Sequence, residues 1–289
     1  MFSIIIPSYN NIEYLKICLA SIKKNSNFNH EIIIHINEGT DGTLNYVKTN
    51  KFIYTYTEQN VGLCSSVNMA ASKASTNYIL YSHDDMYFCP GWDLVLKDEV
   101  DKLNHNLFYF SATMIEHNGG HIQLDCGKNH IDFNEKKLLT NFRSIKYFDY
   151  QGSHWSPHLI HKKVWNLIGG FSEEFNPGVG SDPDLNMKLW KHGVRIFKGL
   201  SNFRVYHFGS ITLRQKKKIK RNKGSKIFLV KWGISVDFFL RYYLQSGKSG
   251  NNKILENKFY GALKNPKKTI AYIFKLFFCK LNFIYNKYT

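Results

Sequence analysis

Through its first 90 residues the chain alternates between short apolar runs and stretches of helical spacing. Phe2–Pro7 is apolar, and Ile12, Leu15, Leu19 and Ile22 then recur at helical intervals. Glu31–Ile36 is apolar again and ends in a turn-rich stretch, Asn37-Glu38-Gly39-Thr40-Asp41-Gly42-Thr43. Lys51–Tyr56 reads as a third strand, Leu63–Ala74 as a helix rich in small residues and Tyr78–Ser82 as a fourth strand. Such alternation with short links predicts crossover units and a mostly parallel sheet, an α/β fold. Ligands of open sheets of this kind sit at the carboxyl ends of the strands. Every strand end here is polar: Ser8-Tyr9-Asn10, Asn37-Glu38, Glu58-Gln59-Asn60 and His83-Asp84-Asp85.

Beyond residue 107 the pattern loosens. Leu107–Met114 reads as a strand and is followed by mixed loop; Leu159–Trp165 reads as another strand before a Gly169-Gly170-Phe171 turn. A helix is expected from near Ser181, then two short strands within residues 195–208. Near the C-terminus, Ile270, Ile273, Phe274, Phe277, Phe278, Leu281, Ile284 and Tyr285 fall on one broad helical face, with Lys268, Lys275, Asn282 and Asn286 opposite and Lys280 and Lys287 on the rim. An amphipathic basic helix of this type lies in a membrane interface, or docks on the protein's own core or a second subunit.

Charge sharpens that division. Residues 1–211 hold 20 basic and 20 acidic residues, whereas residues 212–289 hold 19 basic residues and only Asp237 and Glu256 as acids. The whole net charge of +17 therefore belongs to the last quarter, which calls for an anionic partner: nucleic acid, an acidic membrane surface or a phosphorylated substrate. The Arg214–Lys226 stretch reads as an exposed, mobile basic loop. Apolar residues at 43% exclude disorder as the main state. Five scattered cysteines without a C-x-x-C pair argue against a zinc site or a disulfide framework and fit a reducing compartment. No export signal opens the chain and no apolar run reaches the ~20 residues of a membrane span, so a cytoplasmic location is expected, with peripheral attachment at the membrane's cytoplasmic face as the variant.

The chemistry concentrates at Tyr81-Ser82-His83-Asp84-Asp85. Two adjacent carboxylates at the end of a buried strand repel one another, and a divalent cation with oxygen ligands relieves this. A metal that also holds a diphosphate stabilises a departing nucleotide, although an Asp pair after a strand is also an ordinary helix cap. Taken in order, six segments make the pattern specific. Ser3-Ile4-Ile5-Ile6-Pro7-Ser8-Tyr9-Asn10, Ile36–Thr43, Asn60–Asn68, His83-Asp84-Asp85, Gly169–Phe175 and Gly180–Gly193 resemble the successive signatures of a family 2 glycosyltransferase. The resemblance covers residues 1–210 and implies the GT-A fold: a Rossmann-like, mostly parallel sheet flanked by helices, followed here by a basic helical extension.

By that resemblance, residues 1–115 form the nucleotide-sugar-binding half, 116–211 the acceptor-binding half and 212–289 the basic loop and helical extension. Pro7, Tyr9 and Glu38 would line the base pocket, Asp84 would meet the ribose, and Asn68 is carried over with these donor-binding residues. Asp85 would bind the divalent metal, Mn2+ or Mg2+, with His207 completing its coordination. Asp182 stands in the place of the general base, with Asp184 as the fallback. His154 and Trp155 are candidates to stack on an acceptor sugar, with core packing as the other reading. The basic loop would close over the diphosphate. Three positions depart from the family pattern: His83, Asn37 and Ser181 each stand where an acid is usual.

The implied activity is inverting, metal-dependent transfer of a sugar from a nucleotide-sugar donor, UDP-sugar foremost, to a glycan or lipid-linked acceptor. A nucleotidyltransferase would carry a Gly-rich basic loop after the first strand, where this chain has Pro7-Ser8-Tyr9-Asn10-Asn11. A nucleic-acid-binding protein is the alternative from another class, motivated by the basic, aromatic-rich last quarter; the paired acids at the sheet's end make nucleic acid an unlikely partner.

Overall fold

The computed structural model describes residues 1–209, 222–250 and 253–288. Four strands open the chain as expected: β1 (Ser3–Tyr9), β2 (Glu31–Asn37), β3 (Ile53–Thr57) and β4 (Tyr78–Tyr81). Three helices cross between them: α1 (Ile12–Asn25), α2 (Thr43–Thr49) and α3 (Leu63–Ala71). They are followed by β5 (Met86–Phe88), α4 (Trp92–Asp101), β6 (Phe108–Glu116), β7 (Ile122–Gln123), α5 (Glu135–Asn141), β8 (Tyr150–Gln151) and β9 (His158–His161). Then come α6 (Lys162–Ile168), α7 (Ser181–Lys191) and β10 (Ile196–His207).

These strands form one sheet of order β3-β2-β1-β4-β9-β6-β10-β5, with β7 beside β6 and β8 beside β10. β1 runs parallel to β2 and β4, and β2 parallel to β3. The sheet is covered on both faces, which is why β1 and β2 carry isoleucines toward both sides, with His35 a buried polar exception in β2. Alternate residues serve the two sides: Ile5 and Ile33 join one core cluster, while Ile4, Ile6, Ile34 and Ile36 join the other. Because β1 lies between β2 and β4, the chain direction of the crossovers changes there, and a crevice opens at the carboxyl ends of β1 and β4.

Two expectations from sequence are corrected. The strand foreseen over Leu159–Trp165 ends at His161, whose ring accepts the Lys163 backbone N–H and caps α6. Val164, Trp165 and Ile168 then face the core at helical spacing. The two short strands foreseen within residues 195–208 are one continuous strand, β10, whose register against β6 shifts between Leu200 and Arg204. Ser201 fills that irregularity, its N–H and hydroxyl both donating to Asp149 at 2.8 Å. Gly199 is fixed by packing, since a Cβ there would lie 1.9 Å from the Tyr150 ring.

The basic quarter packs onto this body. α8 (Gly224–Trp232) leads into helical turns Val236–Phe238 and Phe239–Leu244, a hairpin of β11 (Lys248–Gly250) and β12 (Lys253–Leu255), and α9 (Ile270–Tyr288). Phe228, Phe238, Phe239, Leu244 and Leu263 enter the same core cluster as Trp190 and Phe197. Asp184, fully buried near the start of α7, accepts from Trp232 Nε1 (2.8 Å) and Lys231 Nζ (2.9 Å). Lys231→Met leaves that buried carboxylate without its cation, and loss of about 2–4 kcal/mol is expected. Urea unfolding would show it as a lowered midpoint at unchanged slope; an unmoved midpoint would deny the pair any part in seating α8.

Candidate active site

A cleft of about 530 Å3 opens at the carboxyl ends of β1 and β4. Pro7, Ser8 and Tyr9 line it from the end of β1, and His83, Asp84 and Asp85 from the link between β4 and β5. Trp155, Asp182 and His207 close it from the second half of the sheet. Seven of the sequence-derived candidates thus meet in one place: Pro7, Tyr9, Asp84, Asp85, Trp155, Asp182 and His207.

Each of the adjacent carboxylates has its own setting. Asp84 accepts from Ser8 Oγ (2.7 Å) and Asn11 Nδ2 (3.0 Å), so it ties the β1–α1 loop to the end of β4. Asp85 faces two imidazoles, with His83 Nδ1 at 3.9 Å and His207 Nε2 at 3.6 Å. The other nitrogen of each ring is engaged: His83 Nε2 with Ser156 Oγ (3.0 Å) and His207 Nδ1 with Glu116 Oε1 (2.7 Å). Orientation of a ligand ring through its far nitrogen is the usual support of a metal-binding histidine.

Ligand atoms of His83, Asp85 and His207 all lie within 4.8 Å of one another. The donor set therefore fits a divalent ion, and two imidazoles beside one carboxylate suit Mn2+ better than Mg2+. Electrostatics separates the rings. Burial lowers His207, but Asp85 and Glu116 outweigh it and hold the ring up to about 10. Burial pushes His83 down to about 4, against the pull of Asp85. An imidazolium at His207 offsets part of the negative charge of Asp85 and Glu116, and a cation held there would take the place of its proton.

Asp182 stands at the first turn of α7, behind the left-handed Gly180. Its Oδ1 is shielded from solvent and has no hydrogen-bond partner among the described residues. Burial alone raises its carboxyl to about 7. Asp184, the fallback base, is occupied by Lys231 and Trp232 and does not line the cleft. Asp182 and Asp85 are close enough together for both to raise the buried Tyr81 phenol, after the larger effect of its burial.

Three candidates are placed elsewhere. Asn68 does not line the cleft: its side chain donates to the Phe171 carbonyl and accepts from the Phe171 N–H, both at 2.9 Å, joining α3 to the Gly169-Gly170-Phe171 turn. His154 is buried and holds the Gly152 carbonyl through Nδ1, and burial lowers it to about 4. Glu38 accepts from Asn10 at 3.1 Å and raises the Tyr9 phenol, second to burial; the cleft wall beside Tyr9 is Asn37 instead. The greater part of the Arg214–Lys226 loop, expected to close over the diphosphate, lies outside the described residues. At its near end Asn222 donates to the Phe175 and Val179 carbonyls.

Other contributors were not singled out from sequence. Glu116 ends β6 and supports His207. Lys253 and Ile254 line the cleft from β12, and Glu256 accepts the Trp155 indole N–H at 3.3 Å. An acid at a strand's carboxyl end is a signal for Glu116; nothing local marks the β12 residues.

The sequence model described as glycosyl transferase family 2 matches residues 3–159. Chondroitin synthase of Pasteurella multocida (strain Pm70) is 26% identical over 230 residues, 77% of this chain and 22% of that protein. An uncharacterized glycosyltransferase of Rickettsia bellii (strain RML369-C) is 31% identical over 116 residues, 38% of this chain and 16% of that one. Among solved structures, S. aureus TarS 1-349 in complex with UDP is similar in fold at a TM-score of 0.54 and 18% identity, covering 71% of this chain and 59% of that chain. The chain spans about a fifth of the length of the first two curated relatives.

Proposed function

This chain belongs to glycosyl transferase family 2, and from that premise we propose that it transfers a sugar, with inversion, from a nucleotide-sugar donor to a hydroxyl of a glycan or lipid-linked acceptor. A UDP-sugar is the donor of choice. The observation that carries the reading is the meeting, in one cleft, of a three-residue metal-ligand cluster with Asp182, whose buried Oδ1 has no hydrogen-bond partner among the described residues. Residues 1–115 supply the donor side and residues 116–211 the acceptor side.

The β1 end, Pro7 and Tyr9, would receive the base, and Asp84 would keep the adjoining loop in place near the ribose. His83, Asp85 and His207 would hold a divalent ion, Mn2+ before Mg2+. When bound, that ion supplies positive charge to the leaving diphosphate. Asp182 would remove the proton of the attacking hydroxyl through its free Oδ1, the carboxyl poised near neutrality by burial. Trp155, its indole fixed by Glu256, offers an apolar face to an acceptor sugar. The cleft's size and mixed lining suit a ligand of nucleotide-sugar dimensions.

Thermal unfolding with UDP, GDP and dTDP, each with and without Mn2+, tests the donor half. A ligand at a hundred times its dissociation constant stabilises by ~2.7 kcal/mol, which in a chain of this size raises the midpoint by about 4–5 °C. The expected result is such a shift with UDP and Mn2+ together and little with either alone. Equal shifts without metal would remove the metal from the reading, and none with any nucleotide would remove the donor.

A further inference from the structure

The last helix, α9, is apolar on two opposite sides. Tyr272, Leu276 and Cys279 recur at helical spacing and turn toward the body, where Tyr272 packs on Phe238 at 5.0 Å between ring centres and Cys279 Sγ lies 3.7 Å from Ser235 Oγ. Ile270, Ile273, Phe274, Phe277, Leu281 and Ile284 lie about half a turn away, and all are exposed, from 47% for Leu281 to 90% for Ile270. The face seen in sequence is thus not the one that docks on the core. The side opposite it, expected to be polar, carries the docking stripe, and the lysines are displaced to the flanks.

An outward stripe of large apolar residues over several turns exceeds the scattered exposure normal on a soluble surface. Its occupant is indicated by charge. Seven lysines and no acid follow Glu256, while residues 1–211 are neutral overall. Lys275 and Lys280 stand between the docking stripe and the outer stripe, Lys275 Nζ 3.6 Å from Asp237 Oδ2 and Lys280 Nζ 5.9 Å from the Phe283 ring centre, while Lys267 and Lys268 are exposed just before the helix. Among the described residues no helix is long and apolar enough to cross a membrane. Burial of one face beside a basic rim is the arrangement of a helix lying in the plane of a lipid interface.

We propose that the outer face of α9 seats this protein on an anionic lipid monolayer, with the apolar stripe among the acyl chains and the flanking lysines at the headgroups. A second copy of the chain would satisfy the apolar stripe but would bring two lysine-rich rims together. An anionic surface satisfies both features. The docking holds α9 against α8, whose partner Lys231 grips Asp184 two residues from Asp182, so the surface would bear directly on the helix that ends in the cleft.

The test is co-sedimentation of the full chain with vesicles of phosphatidylglycerol and phosphatidylcholine in equal parts, against phosphatidylcholine alone. The double variant Phe277→Glu, Leu281→Glu is compared, since both residues point away from the fold. Wild type is expected to bind the mixed vesicles, weakly at high salt, and the variant at least about tenfold less, with its thermal midpoint unchanged. No binding by wild type, binding indifferent to lipid charge, or binding equal in the variant would overturn the proposal. So would light scattering that found a dimer in wild type and a monomer in the variant, which assigns the face to a second copy.

Discussion

Asp182→Asn is expected to lower sugar transfer by about 10²–10⁴-fold while making the folded protein more stable above neutral pH. The two effects share one cause. Burial raises the Asp182 carboxyl from 3.8 to about 7, and its Oδ1 has no hydrogen-bond partner among the described residues. A carboxylate unsatisfied in the resting enzyme is a better proton acceptor than one already bonded, and its ionisation costs folding energy. The folded state binds the Asp182 proton more tightly than the unfolded state does. Stability from this group is therefore full below about pH 4 and is lost as pH rises through about 7. Asparagine cannot ionise, so the variant keeps what wild type loses, about 2–4 kcal/mol at pH 8 and nothing at pH 4.

The pH profile of transfer gives the same group a second reading. Wild-type kcat/KM is expected to rise with pH through about 7, as the base becomes available, and the residual activity of the asparagine variant should lack that limb. Nucleotide with Mn2+ should still raise the variant's thermal midpoint, because no donor-side residue has changed. A variant that stays active, or that is destabilised at pH 8, would take the base assignment away from Asp182. Asp184→Asn would not mimic it: that change leaves Lys231 without its buried partner, and the cost appears in folding.

The difference between these neighbours marks what the sequence could disclose. Both acids stand at the start of one helix, and their spacing alone does not rank them. The ranking comes from long-range packing: Lys231 and Trp232, more than 40 residues later, hold Asp184 Oδ1 outside the cleft that Asp182 lines. The first half of the sheet was legible because its strands are short, mainly apolar or β-prone segments with polar ends, and those ends converge once the crossovers are parallel. His161 as a helix cap was not, because histidine is an infrequent cap and the apolar pattern of Leu159–Trp165 serves a strand equally well. Lys253, Ile254 and Glu256 reach the cleft only through a hairpin set in place by long-range pairing, with Tyr150 bridged to Lys258 and the Ile254 N–H donating to the Gly120 carbonyl. Asn68, carried over to donor binding by the resemblance of Asn60–Asn68, stands outside the cleft, both ends of its amide being used by Phe171.

Asp85→Asn is expected to abolish metal-dependent nucleotide binding, with at least about 100-fold weaker Mn2+ affinity and no joint thermal shift with UDP and Mn2+. The change keeps the side chain's size and removes the one carboxylate that stands between His83 and His207. What remains is two imidazoles with no carboxylate between them, a set that holds a divalent cation far more weakly. Glu116→Gln separates support from ligation. It leaves all three ligand atoms in place and loosens only the ring of His207, so an intermediate loss of about 10-fold is expected. Calorimetric titration of Mn2+ into the three proteins reads the series directly. Order matters more than size: affinity falling from wild type to Glu116→Gln to Asp85→Asn fits a ligand supported by a positioning residue. Equal affinity in all three would mean that the cation binds elsewhere, and that the trio serves only to neutralise Asp85 in the fold.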